Sequence, residues 1–204
     1  MKYALYLGCA IPIKYPGFEA ATRLVCDKLG IEFVELPFSC CPPPTSMKMV
    51  HYDSWLALAA RNLCLAEEAG VDVMTLCSGC VNTLKEANHI LRKSDAKRRR
   101  VNKVLEDHGH NYKGTIEVTH ILDVLYQDAV VERLLKEAVR EIPIRVGCHY
   151  GCHYFRPPQV MYPGELSDAE SYVPVKMDHL LSLIGVEPTE YSRKFLCCGS
   201  PLGA

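Results

Sequence analysis

Cysteine is the residue type with the most chemistry to offer in this sequence, with eleven among 204 residues. Five of them form the pattern Cys9-x30-Cys40-Cys41-x35-Cys77-x2-Cys80, in which the adjacent pair is followed by three prolines. Thiolates bind soft metals and exchange with disulfides. Because the count is odd and the N-terminal residues lack the features of a signal peptide, metal binding or redox chemistry is favoured over a disulfide framework.

Three kinds of site are open for these five cysteines. Structural zinc takes four ligands in a tetrahedron, which leaves one cysteine over, and adjacent residues rarely place both sulfurs on one small ion. A cluster of several irons can accept neighbouring thiolates on different metals. Cys77-Ser-Gly-Cys80 also matches a thioredoxin-like dithiol, a mechanism that has no use for the Cys40-Cys41 pair. The pattern favours iron and sulfide, with zinc and dithiol exchange as alternatives.

The elements that must position these cysteines alternate between short apolar runs and longer helical patterns. Strands are predicted at 3–7, 31–36 and 71–76, and helices at 17–29, 53–70 and from 81 to about 108. This order predicts an α/β fold of βαβ modules with a parallel sheet. Each cysteine of the pattern comes after a strand, and parallel sheets bind ligands outside the carboxyl ends of their strands. We therefore expect all five to converge on one edge of the sheet.

A second block repeats this order in a shorter form. A strand at 144–146 leads into Gly147-Cys-His-Tyr-Gly-Cys-His153, a helix is predicted at 175–184, and Cys197-Cys198 follows. The sequence then stops at Ala204 without a second Cys-x2-Cys. We predict two related domains, 1–139 and 140–204, of which the second is incomplete, joined by a linker at 139–143.

The remaining features are less distinctive. Cys26, Cys64 and Trp55 fall on helices beside apolar residues and are predicted to be core residues. The basic run from Arg92 to Arg100 is interpreted as a solvated helix face, with a docking patch as the alternative. A formal net charge of -1 gives no basis for binding nucleic acid, and no stretch approaches the roughly 20 apolar residues of a membrane span. We expect a cytoplasmic protein without membrane insertion.

The sequence resembles the CCG-domain, or cysteine-rich domain, family, and within it the B subunits of heterodisulfide reductases. The resemblance covers essentially the whole chain. It rests on the five-cysteine pattern and on the motifs YLGC (6–9), KYPG (14–17), SCCP (39–42), AARN (59–62), GVDVMT (70–75), EANH (86–89) and HYGCH (149–153).

The resemblance implies that each module holds a non-cubane [4Fe-4S] cluster and that the clusters together reduce a disulfide, in methanogens the coenzyme M–coenzyme B heterodisulfide. Electrons would arrive through an iron–sulfur C subunit from a flavin-containing A subunit. His153 would line the substrate pocket as a proton donor. The implied ligands of the first, complete site are Cys9, Cys40, Cys41, Cys77 and Cys80, and those of the second, partly encoded site are Cys152, Cys197 and Cys198.

Several departures and alternatives accompany this resemblance. Because the second Cys-x2-Cys is missing, we expect the chain to be a fragment of a longer subunit. Cys148 is extra to the pattern, and Cys152 is the preferred ligand because it carries the YGCH match. His149 and His153 also admit interpretation as buried, hydrogen-bonded histidines. The alternative functions are an iron–sulfur electron-transfer subunit of a lactate-, glycolate- or succinate-type dehydrogenase, and a zinc-stabilised interaction module.

Overall fold

The computed structural model describes residues 1–40, 47–138, 141–163 and 174–199. The chain divides into two compact units, Met1–His120 and Ile121–Ala204. This division concerns compactness, whereas the boundary expected at 139/140 concerns the two related modules and stays a prediction. Val139 and Arg140, which begin the expected linker, lie outside the described residues.

A parallel four-stranded sheet forms the centre of the first unit, as the βαβ pattern predicts. Its strands are β1 (Lys2–Tyr6), β2 (Glu32–Val34), β3 (Asp72–Thr75) and β4 (Val118–His120), in the order β2-β1-β3-β4. The two central strands are buried along most of their length, because a parallel sheet in an α/β protein is covered on both faces. Ala4, Tyr6, Val73 and Met74 are accordingly 0% exposed. The α/β fold expected from the sequence is confirmed.

The helices of the first unit cover this sheet. Pro16 stands at the first position of its helix, where a missing N–H costs nothing. Gly70 has a left-handed backbone conformation, and it ends the longest helix by donating its N–H to the carbonyl groups of Ala66 and Glu67, as glycine commonly does at helix ends. The helices are α1 (Ala10–Lys14), α2 (Pro16–Lys28), α3 (Met47–Val50), α4 (Tyr52–Ala69), α5 (Ser78–Lys93) and α6 (Asp95–Glu106).

The single helix expected from residue 81 to about 108 is two helices, so this prediction is wrong. The chain leaves the helical conformation at Ser94, which has φ -130° and ψ 100°. Its hydroxyl accepts a hydrogen bond from the N–H of Lys97 and so begins α6. Serine favours such N-terminal capping positions over helix interiors, because its side chain satisfies a free backbone N–H.

Three residues predicted to be core residues are confirmed as such. Cys26, Cys64 and Trp55 are each 0% exposed. Burial raises the pKa of Cys26 to about 11 and that of Cys64 to about 12, so both remain neutral thiols. Neither has the charge state of a metal ligand.

Three basic side chains of this run form ion pairs with acidic residues of the same unit. Arg92 pairs with Glu117 at 2.5 Å, Arg98 with Asp95 at 2.6 Å, and Arg100 with Asp53. These contacts agree with a solvated helix face.

The strands of the second unit are shorter than those of the first. Its parallel strands, β5 (Arg145–Val146) and β6 (Glu187–Pro188), form a two-stranded sheet. Packed aromatic rings, with Tyr150 and Tyr154 at 5.8 Å between centroids, lie in its core. Its helices are α7 (Ile121–Leu125), α8 (Asp128–Glu137), α9 (Cys152–Phe155), α10 (Pro158–Met161) and α11 (Lys176–Ser182).

Among the described residues, no helix has both the length and the apolar character needed to cross a membrane.

Candidate metal centre

The loops of the predicted first site follow β1 and β3, the two strands between which the order of strand addition reverses. From β1 the chain crosses to β2 on one side, and from β3 it crosses to β4 on the other. Such a switch point opens a crevice at the carboxyl ends of the two central strands. Cys9 comes three residues after β1, and Cys77 comes two residues after β3. The topology therefore brings these two cysteine-bearing loops to the same crevice.

Gly8 and Cys80 are in close contact across this crevice. A Cβ placed on Gly8 would lie 2.7 Å from the Cys80 Sγ, and Gly8 has φ +68°. Both the contact and the backbone conformation require glycine. The residue of the YLGC motif that approaches the Cys80 sulfur is thus Gly8, the neighbour of Cys9 in the chain.

Cys77 and Cys80 form a hydrogen-bonded thiol pair at the start of α5. The Cys80 thiol is the main cause that lowers the pKa of Cys77 to about 6, and the backbone N–H groups of Gly79 and Cys80 act in the same direction, against the effect of burial. These N–H groups belong to the first turn of a helix, where backbone N–H groups point toward the preceding residues and favour negative charge. Cys77 is therefore a thiolate at neutral pH, the form that binds metal.

Cys40 is positioned through its neighbour Ser39. The hydroxyl of Tyr6 donates to the Ser39 carbonyl oxygen at 2.6 Å. The Asn62 side chain accepts from the Ser39 N–H at 3.0 Å and donates to the Ser39 carbonyl at 3.2 Å. Asn62 is only 1% exposed, so these bonds are not replaced by water. The end of β1 and the middle of α4 together fix the residue before Cys40.

Asn62 was missed as a site residue in the sequence, although the AARN motif contains it. The available signal was a polar amide among the apolar residues of α4, where Leu63, Cys64 and Ala66 are buried. A buried amide needs partners. The pattern alone does not reveal that those partners lie 23 residues earlier in the chain.

Cys41 belongs to 41–46, which lies outside the described residues, but the chain that follows is anchored. Lys48 in α3 pairs with Glu86 of the EANH motif at 2.5 Å. Its Nζ also lies 5.1 Å from the centroid of the Trp55 ring. The described residues before and after this stretch, Ser39 and Lys48, are thus bound by Asn62 and by Glu86.

Within the ranges that the structure describes, no three His, Cys, Asp or Glu side chains are grouped to hold a metal ion. Cys9 and Cys40 are exposed, Cys77 is half-buried and Cys80 is buried. The pairs that are brought together are Cys77 with Cys80 and the Cys80 sulfur with Gly8.

In the second unit, two of the predicted ligands meet. Burial raises the pKa of Cys152, and a hydrogen bond with Cys197 and the nearby Cys198 add to this effect. Cys152 begins α9 and is half-buried, whereas Cys197 and Cys198 are exposed. The three cysteines expected from the YGCH match and the second Cys-Cys pair therefore lie near one another.

Cys148 has a different environment from these three. It is 1% exposed, and burial raises its pKa to about 11, with the neighbouring Asp178 carboxylate adding to the shift. The pKa values of both Cys148 and Cys152 are raised, so the two differ in burial, and the preference for Cys152 as a ligand stays a prediction.

A buried polar network joins the two cysteine-bearing segments of this unit. The Tyr150 hydroxyl donates to Asp178 at 2.5 Å and accepts from the backbone N–H of Met177 at 2.9 Å. Lys194, which is 3% exposed, donates to Asp178 and to Glu190, both at 2.6 Å. Asp178 therefore connects the GCHYGCH segment to the residues that lead to Cys197.

The two histidines of the second unit differ in exposure. His149 is exposed, and its Nδ1 lies 3.5 Å from the hydroxyl of Tyr191. The interpretation of His149 as a buried histidine is therefore wrong. His153 is half-buried in α9, next to Cys152.

The donor set of the first unit fits an iron–sulfur group. Its expected donors are all sulfur, the loops of Cys9 and Cys77 follow neighbouring parallel strands, and the pKa of Cys77 is lowered to about 6. Soft thiolate ligands select zinc, copper(I) or iron–sulfur clusters over magnesium or calcium. Gly8 also leaves room beside Cys80 that any other residue would fill.

Comparison with known proteins places this chain in a family. The sequence profile of the cysteine-rich (CCG) domain matches residues 3–85 and 146–204, more than half of the chain. These matched segments include every cysteine of the two predicted sites. The chain belongs to the cysteine-rich domain family.

Two curated relatives and one solved structure are similar to the chain. The B subunit of the ferredoxin/F420H2-dependent CoB-CoM heterodisulfide reductase of Methanosarcina acetivorans is 38% identical over 98% of this chain and 65% of its own length. The membrane anchor subunit of 8-methylmenaquinol:fumarate reductase of Wolinella succinogenes is 28% identical over 97% of this chain and 67% of its own length. This chain thus spans about two thirds of either relative.

The solved structure is that of a hypothetical protein from Helicobacter pylori. It matches with a TM-score of 0.73 over 98% of this chain and 35% of that chain, at 17% sequence identity. At this identity the match supports the fold and nothing further.

Proposed function

We propose that this chain is the iron–sulfur subunit of a heterodisulfide reductase-like complex and that it reduces a disulfide. The observation that carries the proposal is the contact between Gly8 and the Cys80 sulfur at the switch point of the parallel sheet. It joins the loop of Cys9 to the Cys77–Cys80 thiol pair. The similarity to the B subunit of the Methanosarcina enzyme supplies the class of reaction.

The proposed ligands are those expected from the sequence. A bound non-cubane [4Fe-4S] cluster would supply electrons one at a time, in place of the two-electron attack of a thiol on a disulfide. The first unit would hold one cluster and the second unit part of another site. The ligands would be Cys9, Cys40, Cys41, Cys77 and Cys80 in the first site, and Cys152, Cys197 and Cys198 in the second.

The chain's own residues would orient the site and supply protons. Reduction of a disulfide R–S–S–R′ takes two electrons and two protons and gives two thiols. His153, half-buried beside Cys152, is the proposed donor of one of these protons, because histidine exchanges protons near neutral pH. Asn62 and Glu86 would keep the Cys40–Cys41 loop in place.

The proposed partners are an iron–sulfur C subunit and a flavin-containing A subunit, and the proposed substrate is the coenzyme M–coenzyme B heterodisulfide or a related disulfide. The proposed location is the cytoplasm.

The test has two stages. Anaerobically purified chain is first analysed for iron, acid-labile sulfide and zinc; iron and sulfide are expected, and zinc alone would disprove the cluster. The chain, with any natural downstream sequence and its partner subunits, is then assayed for reduction of the coenzyme M–coenzyme B disulfide.

A second candidate is an electron-transfer subunit of a dehydrogenase or of a fumarate reductase. It is favoured by the similarity to the anchor subunit of the Wolinella enzyme. Iron and sulfide in the chain, no disulfide reduction, and electron transfer coupled to an organic acid would select this candidate.

A further inference from the structure

One fully buried hydroxyl group at the carboxyl end of β3 has no hydrogen-bond partner in the described part of the chain. Thr75 is 0% exposed, and its Oγ1 makes no hydrogen bond to the residues that the structure describes. Buried hydroxyl groups are nearly always paired, because desolvation without a partner lowers stability. An orphan of this kind therefore needs a reason.

The position of Thr75 supplies that reason. It stands two residues before Cys77 and is in register with Tyr6 of β1. Directly paired residues of neighbouring strands present their side chains on the same face of the sheet. The Tyr6 side chain on that face reaches the Ser39 carbonyl, one residue before Cys40. The Thr75 hydroxyl thus lies on the face that supports the Cys40 loop, in the strand that leads to Cys77.

A second buried donor of the same unit, the Trp55 Nε1, also lacks a partner among the described residues. Its ring lies beside Tyr52 and Lys48, which belong to α4 and α3. Thr75 is the orphan donor that stands at the end of a central strand, where the crevice opens.

We propose that the Thr75 hydroxyl is a hydrogen-bond donor to the sulfur-rich group that the cysteines of the first unit hold. This rests on the proposed function, because it requires that group to be an iron–sulfur cluster. Hydrogen bonds to cluster sulfurs help set the reduction potential. Reduction adds negative charge to those sulfurs, so a donor stabilises the reduced form more and raises the potential.

The test uses Thr75→Val, which removes the hydroxyl and keeps the branched shape. In the metal-free chain the variant loses an unpaired buried hydroxyl, so its unfolding temperature should rise by roughly 2–4 °C. In the anaerobically loaded chain the midpoint potential should become more negative. Loss of iron to an external chelator should be about tenfold faster, the effect of removing one hydrogen bond to a charged acceptor.

The matched control is Thr22→Val in α2. Thr22 is 6% exposed, but its hydroxyl donates to the Phe18 carbonyl oxygen at 2.8 Å. This variant should leave the midpoint potential and the rate of iron loss unchanged, and it should not raise the unfolding temperature.

The outcomes separate this proposal from the function on which it rests. Iron and sulfide in both proteins, with identical potentials and rates of iron loss, would overturn the role of Thr75 and leave the proposed function intact. A fall in the unfolding temperature of metal-free Thr75→Val would also overturn it, because the hydroxyl would then have a protein partner. Absence of iron and sulfide from the unsubstituted chain would overturn both.

Discussion

The side chain of Asn62 binds both backbone polar groups of Ser39: it accepts from the Ser39 N–H at 3.0 Å and donates to the Ser39 carbonyl oxygen at 3.2 Å. The residue that follows Ser39 is Cys40, a predicted ligand. A helix residue 23 positions away therefore holds the backbone of the residue that precedes Cys40.

Replacement of Asn62 by Ala should destabilise the chain and weaken the site. The Ser39 N–H would lose its partner, whereas the Ser39 carbonyl would keep the Tyr6 hydroxyl, so the cost is about 1–3 kcal/mol in the free energy of unfolding. The iron content after anaerobic reconstitution should fall, because Cys40 is no longer fixed. Chemical denaturation and iron analysis measure the two effects.

Asn102 provides the matched control for this variant. Its side chain holds Tyr112 in the same way, accepting from the N–H at 2.9 Å and donating to the carbonyl at 3.0 Å. Asn102→Ala should cost similar stability and leave the iron content unchanged. If both variants lose iron equally, Asn62 acts through stability alone.

Replacement of Gly8 by Ala should disturb the crevice directly. The new Cβ would lie 2.7 Å from the Cys80 Sγ, so the sulfur must move. Gly8 also has a left-handed backbone conformation. For a residue with a Cβ, that conformation costs roughly 1–2 kcal/mol. We expect lower iron content and an altered electron paramagnetic resonance spectrum.

Gly70→Ala separates the contact from the strain. Gly70 has φ +66° and nothing within 4 Å of the position that a Cβ would take. Gly70→Ala should therefore lower the free energy of unfolding through backbone strain alone, and it should leave the spectrum of the cluster unchanged. A normal spectrum and full iron content in Gly8→Ala would show that the contact with Cys80 is not part of the site.

The sequence predicts that the loops of Cys9 and Cys77 share one edge of the sheet, because this follows from topology. Once the strands before Cys9 and Cys77 are recognised as parallel, their carboxyl ends must share an edge. The strand bounds differ by only a few residues, since 31–36 was expected and Glu32–Val34 is observed.

The sequence does not predict contacts that depend on individual side chains far apart in the chain. The clamp of Asn62 on Ser39 and the orphan hydroxyl of Thr75 are visible only once the helices pack on the sheet. The break at Ser94 was missed for the opposite reason. There a local cap overrides an apolar pattern that continues from one helix to the next.

Cys77 should be alkylated at lower pH than an ordinary thiol in the metal-free, reduced chain. The hydrogen bond from Cys80 lowers its pKa to about 6, so its reaction with iodoacetamide should reach half of its maximal rate near that pH. Mass spectrometry of the peptide that contains Cys77 gives the rate as a function of pH.

Cys80→Ala removes the largest cause of this shift, so the Cys77 profile should move to higher pH. A profile that does not move would mean that the first turn of α5 lowers the pKa without Cys80. The unfolded thiol titrates at about pH 8.5. The folded metal-free chain therefore binds fewer protons than the unfolded chain between the two values, and its stability should rise with pH across that interval.

Replacement of Lys194 by Met should strongly destabilise the second unit. Lys194 and Asp178 side chains are only 4% and 15% exposed, and the substitution would leave the Asp178 carboxylate without its cation. Breaking a buried pair in this way costs about 3–5 kcal/mol in the free energy of unfolding. The pKa of Asp178, which burial raises but Lys194 and Tyr150 bring below its ordinary value, should rise in the variant.

The double variant Lys194→Met with Asp178→Asn should recover much of this loss, because no buried charge remains unpaired. Arg145→Met is the control, since the Arg145 and Glu187 side chains are both 72% exposed and 3.8 Å apart. Water screens the attraction between such exposed charges, so the pair contributes little to stability. Urea unfolding of the unsubstituted chain, the single variants Lys194→Met and Asp178→Asn, and the double variant gives the coupling between Lys194 and Asp178. A single-variant loss no larger than that of Arg145→Met would contradict the buried network, and with it the means by which Asp178 joins the Cys152 and Cys197 segments.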